Sequence, residues 1–144
     1  MKKTEMSIIP TRDHAFASAL IQRNMGGYFE ALGLRWDEAL FARQWREMES
    51  YLLVRDDCPV GLLCLDPTWA ACHIRELQIE PAWQRQGLGA VALDFALSRA
   101  VQAGSAALRL RVFCRNPAVA FYARHGLGIV ETGTHTLVME RRLD

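Results

Sequence analysis

The segment that most restricts how this chain can fold lies at residues 76–97 and reads ELQIEPAWQRQGLGAVALDFAL. Its pattern predicts a strand, a turn containing Gly87 and Gly89, and then an apolar helix. Because glycine has no Cβ, the backbone of this turn can approach a ligand closely. The first N–H groups of a helix have no helical acceptor and lie at the positive end of the helix dipole. The segment therefore predicts a site for an anion such as phosphate or pyrophosphate, with Arg85 adding charge at its rim.

The rest of the chain predicts further strands and helices around this segment. Periodicity and turn residues predict a strand at 6–12, a helix from Asp13 that Gly26 and Gly27 break, a helix at 36–49, strands at 50–57, 59–66 and 70–81, the helix at 87–104, a strand at 106–114, a helix at 117–126, and a final hairpin of strands at 127–133 and 135–143. A short turn at Asp57-Cys58-Pro59 is predicted to join the second and third strands. This order predicts an α/β fold, with a mixed sheet that carries helices on its faces.

Length, charge and cysteine spacing limit the class of protein. The 144 residues fit a single domain, 1–144, and a formal net charge of +1 gives no reason to expect nucleic acid or an anionic membrane as partner. No apolar run reaches the roughly 18 residues of a membrane span, and the first residues do not have the pattern of a signal peptide. The four cysteines lack C-x-x-C spacing, so we expect no metal site, and we expect reduced thiols in a cytoplasmic protein.

The glycine turn has more than one interpretation. Gly87, Gly89 and Ala92 match the dinucleotide pattern G-x-G-x-x-A, which would indicate a nicotinamide cofactor. That pattern also requires an acidic residue about 20 positions later to bind the ribose. The segment LRLRVF at 108–113 occupies that region and contains no acid, which disfavours NAD. In a second interpretation the glycines serve packing alone, and a third depends on the residues that precede them.

Those residues complete the pattern Gln84-x-x-Gly87-x-Gly89, which resembles the acyl-coenzyme A motif of the GNAT N-acetyltransferase superfamily. The resemblance implies acetyl-coenzyme A as cosubstrate, with its pyrophosphate at the turn and its pantetheine arm between the fourth and fifth strands. The residues that it implies for cofactor binding are the backbone groups of Leu77 and Ile79, the turn residues Gln84, Arg85, Gln86, Gly87, Leu88, Gly89 and Ala90, and also Asn116 and Tyr122.

A second motif strengthens the resemblance. The segment NPAVAFYARHGL is similar to the Asn…Tyr…Gly helix of the same family, with Asn116, Tyr122 and Gly126 in the matching places. The predicted order of elements also resembles the family's layout over nearly the whole chain. The resemblance implies the GNAT-like acyl-coenzyme A N-acyltransferase fold, a mostly antiparallel sheet of 6–7 strands whose fourth and fifth strands splay apart.

The resemblance implies catalysis by direct attack of an amine on the thioester. Tyr122 matches the tyrosine that faces the departing thiolate. Since a tyrosine has a pKa of about 10 and a thiol of about 8.5, we expect a hydrogen-bond donor first, and a general acid only if the pKa of Tyr122 is lowered. Because no covalent intermediate is needed, Cys72 and Cys114 are expected to be core residues.

Glu76 is the candidate base or orienting group for the amine, and His73 is the second candidate. A carboxylate with an ordinary pKa of about 4.3 is a poor direct acceptor, so we expect Glu76 to act through water or to orient the amine. Residues three apart on a regular strand face opposite ways, so at most one of the two meets the substrate. The structural alternative is that Glu76 pairs with Arg75 or Arg109.

The acceptor is predicted to be a primary amine on a small molecule or a peptide. Tyr28, Phe29 and Trp36 could line its pocket, with Glu30 meeting a cation, or the aromatic rings could instead fix the first helices in place. Arg111 stands where some relatives have a glutamate base, which suggests an anionic group on the substrate.

A non-catalytic acyl-coenzyme A-binding or sensing module is the alternative function. The last strand, 135–143, could supply an edge for a homodimer.

Overall fold

The computed structural model describes residues 5–143, and their order of elements follows the predicted one. The elements are β1 (Ser7–Pro10), α1 (His14–Ala31), α2 (Glu38–Trp45), β2 (Glu49–Arg55), β3 (Cys58–Pro67), β4 (Cys72–Ile79), a 3₁₀ turn (Pro81–Trp83), α3 (Leu88–Gln102), β5 (Ala107–Phe113), α4 (Ala118–Arg124), β6 (Gly128–Thr132) and β7 (Thr136–Arg142). None of the helices in this range is long and apolar enough to cross a membrane.

The strands are hydrogen-bonded in the order β1-β2-β3-β4-β5-β7-β6. β1 pairs antiparallel with β2, and β7 pairs antiparallel with both β5 and β6. β4 and β5 are parallel, as two strands joined by a crossover helix can be. The sheet is therefore mixed and has seven strands, which confirms the predicted fold class.

The chain packs as two compact units, of which the first contains residues 5–64 and 76–94. α1 begins where Asp13 accepts a hydrogen bond from the Phe16 N–H at 3.1 Å, and α2 begins where Asp37 accepts one from the Leu40 N–H at 3.0 Å. The core of this unit is a cluster formed by Ala17, Leu20, Ile21, Phe41, Trp45, Leu62 and Cys64. This cluster fixes α1 and α2 to each other and to β3.

The second unit contains residues 65–75 and 95–143. Along β5 the predicted alternation holds, because Leu108, Leu110 and Val112 are buried while Arg111 is exposed. The sequence predicted the end of α3 at Gly104, and Gly104 follows the helix with φ 72°. That residue closes the helix by donating from its N–H to the Val101 carbonyl at 3.0 Å.

Two local predictions were wrong. α1 does not break at Gly26 and Gly27 but continues to Ala31. Each glycine costs a helix about 1 kcal/mol, and the buried contacts of α1 offset that cost. The β2–β3 turn lies at Asp56 and Asp57, whose φ values of 52° and 61° fit a two-residue type I′ turn, so Cys58 and Pro59 already belong to β3.

Two predictions about exposed positions were also wrong. The last strand is not an edge, because β7 lies between β5 and β6, and β6 is the terminal strand on that side of the sheet. A homodimer through the edge of 135–143 is therefore withdrawn. Cys72 is buried as predicted, but Cys114 follows the end of β5 and is exposed.

Candidate functional site

The glycine turn has an unusual backbone. Arg85 and Gly87 both have positive φ, at 63° and 81°. For a residue with a side chain this conformation costs about 1–2 kcal/mol, and such residues concentrate at ligand sites. The first helical bond of α3 runs from the Val91 N–H to the Gly87 carbonyl at 3.4 Å, so the N–H groups of residues 87–90 precede any helical acceptor. Leu88 is buried and anchors the turn, while residues 84–87 are exposed.

The side chain of Gln84 fixes the position of this turn. Its Nε2 donates to the carbonyl oxygen of Ile79, the last residue of β4, at 3.0 Å. The glutamine of the motif therefore joins the turn to the strand before it, and its role in this structure is to hold the backbone.

At the end of β4, beside the turn, the N–H and C=O groups of successive residues face opposite edges of the strand. The Glu80 N–H donates to the Val60 carbonyl of β3 at 2.8 Å, and the Gln78 carbonyl oxygen also faces β3, where a Cβ built on Gly61 would lie 2.5 Å from it. Because strand peptide groups alternate, those of Leu77 and Ile79 face the opposite edge. On that edge the pairing between β4 and β5 covers Cys72–Ile74.

Glu76 lies on β4 in the first unit and is half-buried. Burial raises the pKa of its carboxyl group to about 7, and a hydrogen bond from Gln78 Nε2 to Oε1 at 3.0 Å acts in the opposite direction. The alternative that Glu76 pairs with a neighbouring arginine is wrong. Arg75 pairs with Asp66 at 3.0 Å, and Arg109 pairs with Glu140 at 2.9 Å.

His73, the second candidate base, lies on the other face of β4 from Glu76, because the two are three residues apart on a regular strand. Desolvation lowers the pKa of His73, and the positive charge of Arg75 acts in the same direction. The imidazole is therefore more weakly basic than an ordinary histidine.

The Asn…Tyr…Gly motif marks the start, body and end of α4 in the second unit. Asn116 Oδ1 accepts a hydrogen bond from the Ala118 N–H at 2.9 Å, which caps the first turn. Gly126, with φ 88°, ends the helix, and the Leu127 N–H donates to the Tyr122 carbonyl at 3.1 Å. Tyr122 lies between these ends, is buried, and packs edge-to-face against Phe121 with ring centroids 5.2 Å apart.

The sequence profile of the Acetyltransferase (GNAT) family matches residues 17–127, which is most of the chain. The chain belongs to the GNAT acetyltransferase family. The matched range includes both motifs, the glycine turn and Tyr122. Family membership supports acetyl transfer from acetyl-coenzyme A as the general activity.

Solved structures agree with this GNAT fold. A GNAT family acetyltransferase from Elizabethkingia anophelis with acetyl-coenzyme A bound is 16% identical, with a TM-score of 0.78, covering 98% of this chain and 100% of that one. The PaiA N-acetyltransferase of Thermoplasma acidophilum, in complex with coenzyme A, is 14% identical with a TM-score of 0.77 and covers 97% of this chain and 100% of its own. The ribosomal-protein-S18-alanine N-acetyltransferase of Escherichia coli is 19% identical with a TM-score of 0.73, covering 97% and 95%.

Sequence reasoning missed two residues beside Glu76 in this GNAT protein. Gln78 bonds to Glu76, and Asn24 of α1 donates from Nδ2 to Gln78 Oε1 at 3.1 Å and to the Ile79 carbonyl at 2.9 Å. Gln78 could have been found from its i+2 spacing on the same strand face as Glu76. Asn24 gave no such signal, because 54 residues separate it from Gln78.

The aromatic residues of the first two helices pack against one another. Trp36 lies between Phe29, at a ring-centroid distance of 6.2 Å, and Phe41, at 5.1 Å. The indole N–H of Trp36 donates to Glu38. Phe29 and Trp36 therefore fix α1 to α2, while Tyr28 is half-buried and Glu30 is exposed.

The remaining candidate positions give two further findings. Arg111 is exposed and donates to Thr136 Oγ1 at 3.2 Å, so its guanidinium remains open to solvent. Among residues 5–143, no group of three or more His, Cys, Asp or Glu side chains is placed to hold a metal ion.

Proposed function

We propose that this protein is an N-acetyltransferase that moves the acetyl group of acetyl-coenzyme A to a primary amine by direct attack. The observation that carries the proposal is Glu76, a half-buried carboxylate whose pKa is raised to about 7, on the strand that leads into the glycine turn. Two of the structural relatives are named as N-acetyltransferases, which supports nitrogen as the accepting atom.

The proposed cofactor contacts follow from the backbone. The N–H groups of residues 87–90 bind the pyrophosphate, and Arg85 contributes charge at the rim. The peptide groups of Leu77 and the N–H of Ile79 bind the pantetheine amides and the acetyl carbonyl. The Ile79 carbonyl is not assigned to the cofactor, because it already accepts from Asn24 and Gln84. Asn116 contributes by fixing the start of α4.

The pKa of Glu76 determines which amines it can deprotonate directly. A lysine-like amine has a pKa of about 10.4, roughly 3 pH units above Glu76, whereas an α-amino group at about 7.7–8.0 lies within roughly one unit. An ordinary carboxylate would be roughly 6 units below the lysine-like amine. Glu76 is therefore a better direct base than the sequence alone indicated, and it is best matched to a weakly basic amine.

In the proposed reaction Glu76 takes one proton from the ammonium form of the substrate, and the neutral nitrogen then attacks the thioester carbon and forms a tetrahedral intermediate. A backbone N–H of β4 stabilises its oxyanion, an effect of about 3–4 kcal/mol at comparable sites. The carbon–sulfur bond then breaks, coenzyme A leaves as a thiolate, and the nitrogen loses its second proton to solvent. Tyr122 donates a hydrogen bond to that thiolate.

The cosubstrate is tested by thermal unfolding with and without acetyl-coenzyme A, with NADH as the control. Ligand at 100 times its dissociation constant adds about 2.7 kcal/mol, which should raise the midpoint by roughly 5–10 °C. A rise with acetyl-coenzyme A alone supports the assignment. No rise at millimolar concentration would refute cosubstrate and catalysis together.

Arg85→Gly is the variant for the same titration. Arg85 already has positive φ, which glycine adopts without strain, so the unfolding midpoint without ligand should not fall. The affinity for acetyl-coenzyme A should fall about 3- to 10-fold through the lost charge. Arg46→Ala, which removes an exposed arginine after α2, is the control and should leave the affinity unchanged.

Tyr122→Phe should lower kcat about 10- to 100-fold with little change in the KM for acetyl-coenzyme A, because the hydroxyl acts only on the departing thiolate. The measurement is thiol release at saturating acetyl-coenzyme A with the best amine from a panel. Unchanged kcat would remove the catalytic role of Tyr122.

The acceptor is sought in an amine panel that includes small amines, amino acids and peptides with free N-termini. Carboxylate-bearing amines belong in the panel because Arg111 is exposed. If the protein binds acetyl-coenzyme A but releases no thiol with any amine, the alternative function, an acyl-coenzyme A-sensing module, would be favoured over an enzyme.

A further inference from the structure

Asn24, in the middle of α1, uses both hydrogens of its side-chain amide. One goes to the Ile79 carbonyl oxygen at 2.9 Å and the other to Gln78 Oε1 at 3.1 Å. A carbonyl oxygen can only accept, so the atom of Asn24 that faces it must be the nitrogen. That nitrogen has no acceptor capacity, so the atom of Gln78 that faces it must be the oxygen.

This contact sets the direction of the Gln78 amide. With Oε1 turned to Asn24, its Nε2 faces Glu76 and donates to Oε1 of the carboxylate at 3.0 Å. The second carboxylate oxygen, Oε2, has no hydrogen-bond partner among residues 5–143. Because no fully buried polar side-chain atom in that range lacks a partner, Oε2 is not completely shielded from solvent.

We propose that Asn24 and Gln78 are positioning residues that hold one oxygen of Glu76 and present the other, Oε2, to the acceptor amine. The proposal rests on the proposed function, since it requires Glu76 to be the base. Asn24 touches neither Glu76 nor the reacting atoms and acts through Gln78. The same asparagine bonds to the Ile79 carbonyl that anchors Gln84, so it links the base to the glycine turn.

In the first unit, neither the thiol of Cys64 nor the guanidinium of Arg23 forms an ion pair with Glu76. On β3, the Cys64 thiol is kept neutral because burial raises its pKa to about 12. On α1, Arg23 pairs with Glu80, the residue that follows β4. The bond from Gln78 is therefore the contact that stabilises the ionised form of Glu76 against desolvation.

Gln78→Met removes this donor with little change in size and no change in charge. Loss of the bond should raise the pKa of Glu76 and move the acid limb of kcat/KM to higher pH by about one pH unit. Asn24→Leu frees the Gln78 amide to rotate and should move the limb in the same direction. In the position of the acid limb, the double variant should match Gln78→Met alone, because Asn24 reaches Glu76 only through Gln78.

The matched control is Gln22→Leu. Gln22 lies two residues earlier on α1, and its amide bonds only to Ser18 among the described residues. The same kind of group is thus removed from the same helix without touching Gln78, and the acid limb should not move.

The carboxyl ¹³C NMR titration of Glu76, assigned with Glu76→Gln, gives a readout that does not depend on activity. A shift in Gln78→Met and Asn24→Leu but not in Gln22→Leu supports the proposal. An unchanged titration in Gln78→Met overturns it, even if the enzyme is active. A shifted titration with an unshifted acid limb shows that the hydrogen bonds exist but that Glu76 is not the base, which overturns the proposed function.

Discussion

Glu76→Gln is expected to lower kcat/KM by about 10²- to 10⁴-fold, the usual contribution of a positioned general base. Glutamine keeps the size of the side chain but cannot accept the amine proton. In the wild type, kcat/KM should fall tenfold per pH unit below about pH 7, where Glu76 takes up a proton. The pH profile of thiol release measures the loss of kcat/KM in the variant and the slope below pH 7 in the wild type. Glu80→Gln is the control, because it makes the same change on the same segment at a side chain that pairs with Arg23.

The same substitution should stabilise the fold at high pH. Folding raises the pKa of Glu76 from an ordinary 4.5 to about 7, so the folded state binds this proton more tightly than the unfolded state. The resulting stabilisation is complete below about pH 4.5 and is lost as the pH rises through 7. At pH 8 the ionised wild-type side chain is therefore unfavourable, by about 1–3 kcal/mol, and glutamine removes that penalty.

Urea unfolding at pH 5 and pH 8 checks this sign. Glu76→Gln should be more stable than the wild type at pH 8, with most of the difference gone at pH 5. Equal stability at both values would show that Glu76 is not desolvated. Full activity in the variant would place the base elsewhere, with His73 as the next candidate.

Gly61→Ala should destabilise the protein by about 1–3 kcal/mol, since its Cβ would lie 2.5 Å from the Gln78 carbonyl oxygen. The clash is with backbone, which cannot move away as the end of a flexible side chain can. Relief requires β3 and β4 to separate next to Glu76, so activity should fall as well. Urea unfolding at constant pH measures the loss of stability.

Gly26→Ala is the matched control with the opposite sign. A Cβ at Gly26 meets nothing within 4 Å, and the residue lies inside α1. Alanine in a helix interior is favoured over glycine by about 0.5–1 kcal/mol, so this variant should gain stability. Similar effects from both substitutions would contradict the close approach at Gly61.

Several features of this protein could be predicted because they depend on neighbours in the chain. The glycine turn needs a missing Cβ at Gly87 and the unpaired N–H groups of a helix start, and both follow from adjacent residues. The stop at Gly104 and the alternation of β5 are local in the same way. With two family motifs on the expected elements, these local signals were sufficient for the fold class and the family.

Other features failed or were invisible because they depend on contacts between distant residues. Gly26 and Gly27 have weak helix propensity, yet α1 continues because buried side chains before them and aromatic packing after them hold it. The strand at the edge beyond β5 is β6 and not β7, which the order of residues along the chain does not reveal.

The sequence by itself determined the family, the glycine turn and Glu76 as a candidate, since each is encoded in a short run of residues. Only the tertiary structure decided how Glu76 behaves. Its raised pKa comes from desolvation, and the direction of the Gln78 amide comes from Asn24, 54 residues away. Burial and hydrogen-bond direction are properties of the packed chain, because each depends on which residues the fold brings together.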